Sequence, residues 1–152
     1  MRFAFAAYAC AMNQVAALPY RIGQVGVEVL LVTSKTRKRW ILPKGKVPQD
    51  MLAHVAAARE AWEEAGVFGA VMDQPVGSYQ QLAKLSDGLT ETTIIAAYPL
   101  KVSSELESWP EMDLRRRQWW PINRAMAVVT DTGLRAVIEA FSNELVDLPQ
   151  SE

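Results

Sequence analysis

The sequence predicts an α/β domain, a mixed β-sheet packed between helices. Three observations carry this. Val25 to Thr33 and Thr90 to Val102 are apolar, β-branched runs of strand length. Asp50 to Ala65 and Thr132 to Leu145 instead carry their apolar residues at helical spacing. Their order along the chain, strands then helix then strands then helix, implies one sheet with helices against it. At 152 residues the chain fits a single domain, able to bury roughly two thirds of its unfolded surface. We expect that domain over 14–148, an extension over 1–13 and a short tail over 149–152.

Taken in order, Gln14 to Tyr20 reads as a first strand that Pro19 ends. Val25 to Thr33 follows as a central strand buried on both faces. Ser34 to Arg39 (SKTRKR) is a polar, basic turn, and Trp40-Ile41-Leu42 a short strand. Pro43, Gly45 and Pro48 break regular structure and make a loop that feeds the first helix. Asp50 stands where it can cap that helix, and Gly66 where a left-handed residue ends it. Leu52, Val55, Ala56 and Trp62 make its apolar side, and Ala56-Ala57-Ala58 allows close approach to a sheet. Val67 to Met72 and Val76 to Leu82 read as strands around Pro75. Lys84 to Leu89 is a hairpin turn, with Asp87-Gly88 supplying the positive-φ residues. Thr90 to Val102 returns, Ser103 to Pro110 is loop, and Arg117 to Trp120 is a short strand. Pro121 opens a helical stretch to Val129. The last helix carries Leu134, Val137, Ile138, Phe141 and Leu145 on one stripe.

Half of the residues are apolar and the net charge is −1, an ordinary balance for a globular protein. It lacks the overall basicity of nucleic-acid proteins, so no such partner is expected. Cys10 is the single cysteine and cannot form an internal disulfide; it reads as a small buried residue, and a reducing, cytoplasmic compartment is expected. Phe3 to Met12, apolar behind Arg2, is similar to a short signal peptide but too short to span a bilayer. It runs almost directly into Val15 to Arg21, so an N-terminal extension is the expectation, with no membrane partner. Monomer and homodimer stay equally open.

The most informative stretch is GKVPQDMLAHVAAAREAWEEAGV, from Gly45 to Val67. Glu60, Glu63 and Glu64 stand three and four residues apart, on one helix face. Unpaired, these carboxylates repel; a hard divalent cation among their oxygens makes the cluster favourable. A solvated charged face with an Arg59–Glu63 pair is the plainer alternative. The spacing closely resembles the box of the Nudix hydrolases, G-x5-E-x7-R-E-U-x-E-E-x-G-U with U a bulky apolar residue. Gly45, Arg59, Glu60, Glu63, Glu64, Gly66 and Val67 all fall on that pattern. Two positions depart from it: Met51 stands for the first glutamate and Ala61 for the first U. In the family that glutamate supports the loop and helix, often by pairing with the box arginine. Ala17 to Arg21, Arg39 to Gly45 and Arg115 to Trp120 look most like the branch containing diphosphoinositol polyphosphate and diadenosine polyphosphate hydrolases.

The resemblance implies the Nudix α/β/α sandwich and a metal-dependent pyrophosphohydrolase using Mg²⁺ or Mn²⁺. Its substrate would be a small molecule with a diphosphate or polyphosphate group. It also implies Glu60, Glu64 and the carbonyl of Gly45 or its neighbour as metal ligands, with Arg59 orienting the carboxylates. Glu63, a carboxylate among carboxylates, is the candidate general base. Asp87, Glu91 and Glu111 are weaker candidates, since some relatives take the base from a loop. For substrate charge, Arg21, Arg39, Lys44, Arg115 and Arg117 are candidates, because guanidinium forks suit phosphate. Solvated surface arginines are an equal reading for any one of Arg115, Arg116 and Arg117. Trp40, Trp119 and Trp120 offer base stacking or, more commonly, packing. His54 reads as structural. The runner-up function is a Nudix domain that binds a nucleotide or polyphosphate as a sensor. A housecleaning nucleoside triphosphate pyrophosphatase is the third.

Overall fold

A computed structural model of the chain describes residues 14–147. The expected extension over 1–13, with Cys10 and the Phe3 to Met12 run, lies outside the described residues, as does the tail over 149–152. The described strands are β1 (Gln14–Gly23), β2 (Gly26–Thr33), β3 (Trp40–Ile41), β4 (Lys44–Lys46), β5 (Val67–Val71), β6 (Gly77–Lys84), β7 (Thr90–Glu105) and β8 (Arg117–Pro121). The helices are α1 (Ala53–Glu60), which continues as a π-helical turn over Ala61–Ala65, then α2 (Ile122–Val128) and α3 (Thr132–Asp147).

All eight strands form one mixed sheet with β3-β2-β1-β7-β5 as its main path. Only β1 and β7 run parallel; β6 extends β7, and β8 pairs with the outer side of β2. Strand alternation sorts the central residues between two helical layers. Ala16, Leu18, Val29, Leu31, Ile95 and Ala97 face α2 and α3, meeting Ala125, Leu134, Ile138 and Phe141. Val15, Ala17, Leu30, Val32, Ala96 and Tyr98 face the box helix, meeting Ala56, Ala57, Ala61 and Ala65. The sheet is therefore covered on both sides, as the fold class required, and its middle strands are apolar throughout for that reason.

A splay between β1 and β2 positions the box. The two strands pair from Tyr20–Gly23 to Val29–Gly26, then separate. In the fork, β4 pairs with Gln14–Ala16 and β3 with Val32–Thr33. Ala17 N donates to Pro43 O at 3.0 Å where the two meet. This also explains a correction: β1 does not end at Pro19 but runs on to Gly23. Pro19 has the same parity as Ala17, so its missing N–H falls on the edge where β1 is changing partners.

Other expectations shift for physical reasons. The box helix starts at Ala53 rather than Asp50; Leu52 is its N-cap and no side chain caps it. Leu52 and Val55 are 67% and 42% exposed, because the sheet-facing side is made of alanines. The box loop contains β4, and Ser103–Glu105 extends β7, since β5 pairs with it from Val67↔Glu105 onward. In the β6–β7 hairpin only Gly88 has positive φ.

Candidate active site

Gly66 ends the box helix at φ +66°, in the left-handed region as its sequence position predicts. Before it, the helix widens into the π turn that carries Glu63 and Glu64, a distortion that often marks functional sites. Glu64 is 5% exposed, a rare condition for a carboxylate. Its Oε1 accepts the Lys44 backbone N–H at 3.2 Å, and its Oε2 lies 3.4 Å from Arg115 Nη2. Burial pushes its pKa up to about 8, with Arg115 and the Lys44 amide pulling the other way. The Glu60 pKa is raised by burial and then by the Glu63 charge. Glu60 also rests on Gly45: a Cβ there would fall 2.5 Å from its carboxyl carbon. β4 thus touches both carboxylates, Glu60 at Gly45 and Glu64 through the Lys44 N–H.

The loop from Leu106 to Arg116, with Arg117 at the start of β8, ties itself to the open end of this helix. Helix C-terminal carbonyls lack intrahelical donors and must find others. Here Glu111 N donates to Glu63 O at 3.0 Å, and Trp109 Nε1 to Glu64 O at 3.2 Å. Arg117 Nη1 donates to Ala65 O at 2.9 Å, and Leu106 N to Gly66 O at 2.8 Å. Arg117 also lies 3.8 Å over the Trp109 ring and donates to Leu106 O. The same loop brings in Glu111, whose Oε1 accepts Arg115 Nε at 2.8 Å. Arg115 Nη1 then donates to Thr33 O at 3.1 Å, so one buried guanidinium joins Glu64, Glu111 and the end of β2.

Beside Arg115 opens a cavity of about 570 Å³ between the β2–β3 turn, β4 and β6. Lys35, Arg37, Arg39, Lys44 and Arg115 line it, and no acidic side chain does. Burial lowers the Lys44 ammonium's affinity for its proton, with Glu64 opposing; Nζ donates to Gln14 Oε1 at 3.2 Å. Of the five cations singled out in the sequence, Arg39, Lys44 and Arg115 meet here. Arg21 and Arg117 do not: Arg21 pairs with Glu28 at 2.7 Å and stacks on Trp119, while Arg117 serves the helix end. Lys35 and Arg37 were legible only as part of a basic turn. Trp109 carried no signal beyond being an aromatic in a loop.

Arg59 is exposed and forms no ion pair among the described residues, so the Arg59–Glu63 pair is not formed. Met51, in place of the family's glutamate, packs against the box-side core. Among the loop carboxylates, Glu111 acts electrostatically on Glu60 and Glu64. Asp87 accepts Leu89 N within its own turn and Glu91 is exposed on β7. Trp40 and Trp120 meet edge-on at 5.4 Å, and His54 lies 6.5 Å from the Tyr98 ring, both packing arrangements.

The donor set of Glu60, Glu64 and the Gly45 backbone is all oxygen and suits a hard divalent cation. The Gly45–Glu60 contact leaves no room for a side chain between them. Among the described residues, however, no three acidic, histidine or cysteine side chains converge on one metal position as they stand. Glu64 is turned toward Arg115 and Lys44 N.

Residues 12–141 match the NUDIX domain. Nudix hydrolase 21, chloroplastic, of Arabidopsis thaliana is 34% identical over 133 residues, 85% of this chain and 65% of that one. Diphosphoinositol polyphosphate phosphohydrolase 3-beta of Bos taurus is 33% identical over 105 residues, 67% of this chain and 60% of that one. The crystal structure of a C. elegans Ap4A hydrolase binary complex superposes with TM-score 0.68 at 18% identity, covering 90% of this chain and 99% of that one. The chain belongs to the Nudix family. It has the family's fold, and it spans about two thirds or less of the two curated relatives just described. The names of similar plant proteins include chloroplastic and mitochondrial forms. No described helix is long and apolar enough to cross a membrane.

Proposed function

We propose that the chain is a divalent-metal-dependent hydrolase of a diphosphate linkage in a small polyanion. The diadenosine polyphosphate and diphosphoinositol polyphosphate types are the substrates we favour. One observation carries the reading: Lys44 and Arg115, which contact the buried Glu64, also line a cavity with five cations and no acid. A cavity of that charge selects a ligand with several phosphates rather than a neutral one. Nudix hydrolases generally use divalent metal ions, and Glu60, Glu64 and the Gly45 carbonyl are the ligands here, with Mg²⁺ or Mn²⁺ as the ion. When bound, the ion neutralises charge developing on the phosphoryl oxygens and acidifies water.

This chain's own residues do the rest. Arg39, Lys44 and Arg115 hold the non-bridging oxygens of the polyanion and fix which phosphorus faces the carboxylates. Glu63 takes the proton of the attacking water. Arg59, exposed on the helix, acts on Glu60 through its charge, and we assign it to orienting the carboxylates. Arg21 and Arg117 stabilise the frame. Cytoplasmic location rests on cysteine usage alone.

A panel of dinucleoside polyphosphates, diphosphoinositol phosphates, nucleotide sugars and nucleoside triphosphates, each with Mg²⁺ and with Mn²⁺, tests the reading. Cleavage strongest on the substrates with most phosphates is expected. Preference for oxidised or non-standard nucleoside triphosphates would make it a housecleaning enzyme. Thermal stabilisation by a polyphosphate with no product in any condition would make it a sensor.

A further inference from the structure

We infer that Arg115 couples loading of the metal site to occupation of the basic cavity, acting as an exchangeable counter-cation for Glu64. The inference rests on the proposed metal ligands and adds a role that the box does not assign. Arg115 is the cavity residue whose side chain pairs with Glu64: its guanidinium faces Glu64 and Glu111 and lines the cavity, whereas Lys44 reaches Glu64 through its backbone N–H. Its hold on Glu64 is the longer contact, 3.4 Å, against 2.8 Å to Glu111 and 3.1 Å to Thr33 O. That contact is the one a divalent cation replaces. A doubly charged ion on Glu64 leaves the Arg115 fork with an unsatisfied donor beside the cavity, where a phosphate or sulfate oxygen can take it. Conversely, an anion that draws Nη2 away leaves Glu64 as a buried carboxylate without its counter-ion, a costly state that a metal relieves.

Linkage then requires each ligand to strengthen the other by the same factor. Metal without polyanion binds against Arg115, and polyanion without metal competes with Glu64. The coupling makes a multi-anionic substrate the trigger for assembling the metal site.

Mn²⁺ affinity, read by electron paramagnetic resonance of the free ion at a pH where Glu64 is ionised, tests this without turnover. Sodium sulfate is compared with sodium chloride at equal ionic strength. Wild-type protein should bind Mn²⁺ several-fold more tightly in sulfate. Arg115→Met should bind Mn²⁺ more tightly than wild type in chloride and show no sulfate gain. Lys101→Met removes an exposed cation outside both the cavity and the box, and its Mn²⁺ affinity should match wild type in both salts. No sulfate gain in wild type overturns the inference, and so does an Arg115→Met protein that binds Mn²⁺ equally or more weakly. A sulfate gain that persists in Arg115→Met does the same. The wild-type arm stands if that variant does not fold. None of these readouts depends on cleavage, so active but uncoupled protein sinks the coupling alone, and coupled but inactive protein sinks the hydrolase reading.

Discussion

Each box glutamate sits in a different environment, and the environment separates their roles. Glu63 is only half-buried, and Glu63→Gln keeps shape while removing a proton acceptor. Activity should fall at least about 100-fold with Mn²⁺ binding retained; unchanged kcat would reassign the base, with Glu111 next in line. Glu64 gives a pH signature. Its folded value is raised to about 8 from 4.5, so the folded state holds a proton that the unfolded chain has released. The stability this contributes is full below the unfolded value and is lost as pH rises through the folded one. The Tm of metal-free protein should therefore drop between about pH 5 and pH 8, as measured by differential scanning calorimetry. Glu64→Gln should flatten that drop, and a wild-type Tm that climbs over the interval contradicts the burial argument. Gly45→Ala drives a methyl into the Glu60 carboxyl group and should weaken Mn²⁺ binding about tenfold, read by the same resonance signal.

Helix α1 and its π turn show how an element can be held by its end rather than its stripe. The alanine face gives close approach to the sheet but little buried area. The loop from Leu106 to Arg117 supplies donors to Glu63, Glu64, Ala65 and Gly66 carbonyls. Arg117→Met removes a charged donor from that end and should cost about 2 kcal/mol in urea unfolding. Gly66→Ala adds positive-φ strain and a Cβ 2.7 Å from the Trp109 ring, so a similar or larger loss is expected. Leu52→Ser, at the exposed start of the helix, should stay within about 0.5 kcal/mol of wild type. Equal losses at Leu52 and Arg117 would show that the stripe, not the end, holds the helix. Sequence periodicity pointed to Leu52 and Val55 because it reports hydrophobicity, whereas the packing distance of a helix on a sheet rewards small residues.

Across the whole molecule, the central strands were legible because burial on both faces leaves an uninterrupted apolar run. The carboxylates were legible because their spacing is fixed by helix geometry, a local property. Arg115 and Arg117 are two residues apart in one basic run, yet one meets the cavity and the other clamps a helix. Nothing local tells them apart; at the same helix end Arg115 meets the Glu64 side chain and Thr33 O, while Arg117 meets the Ala65 and Gly66 carbonyls. Lys35 and Arg37 join Lys44 only because β1 and β2 separate and admit β3 and β4 between them. Pro19 reads as a strand end until that change of partners is seen. The sequence by itself determined the sandwich class, the box register and the identity of its glutamates, all set by periodicities a few residues long. Tertiary structure alone decided that Glu64 is buried against Arg115, that Glu111 joins it, and that five cations share one cavity. Those contacts join segments tens of residues apart, and only sheet pairing and burial bring such segments together.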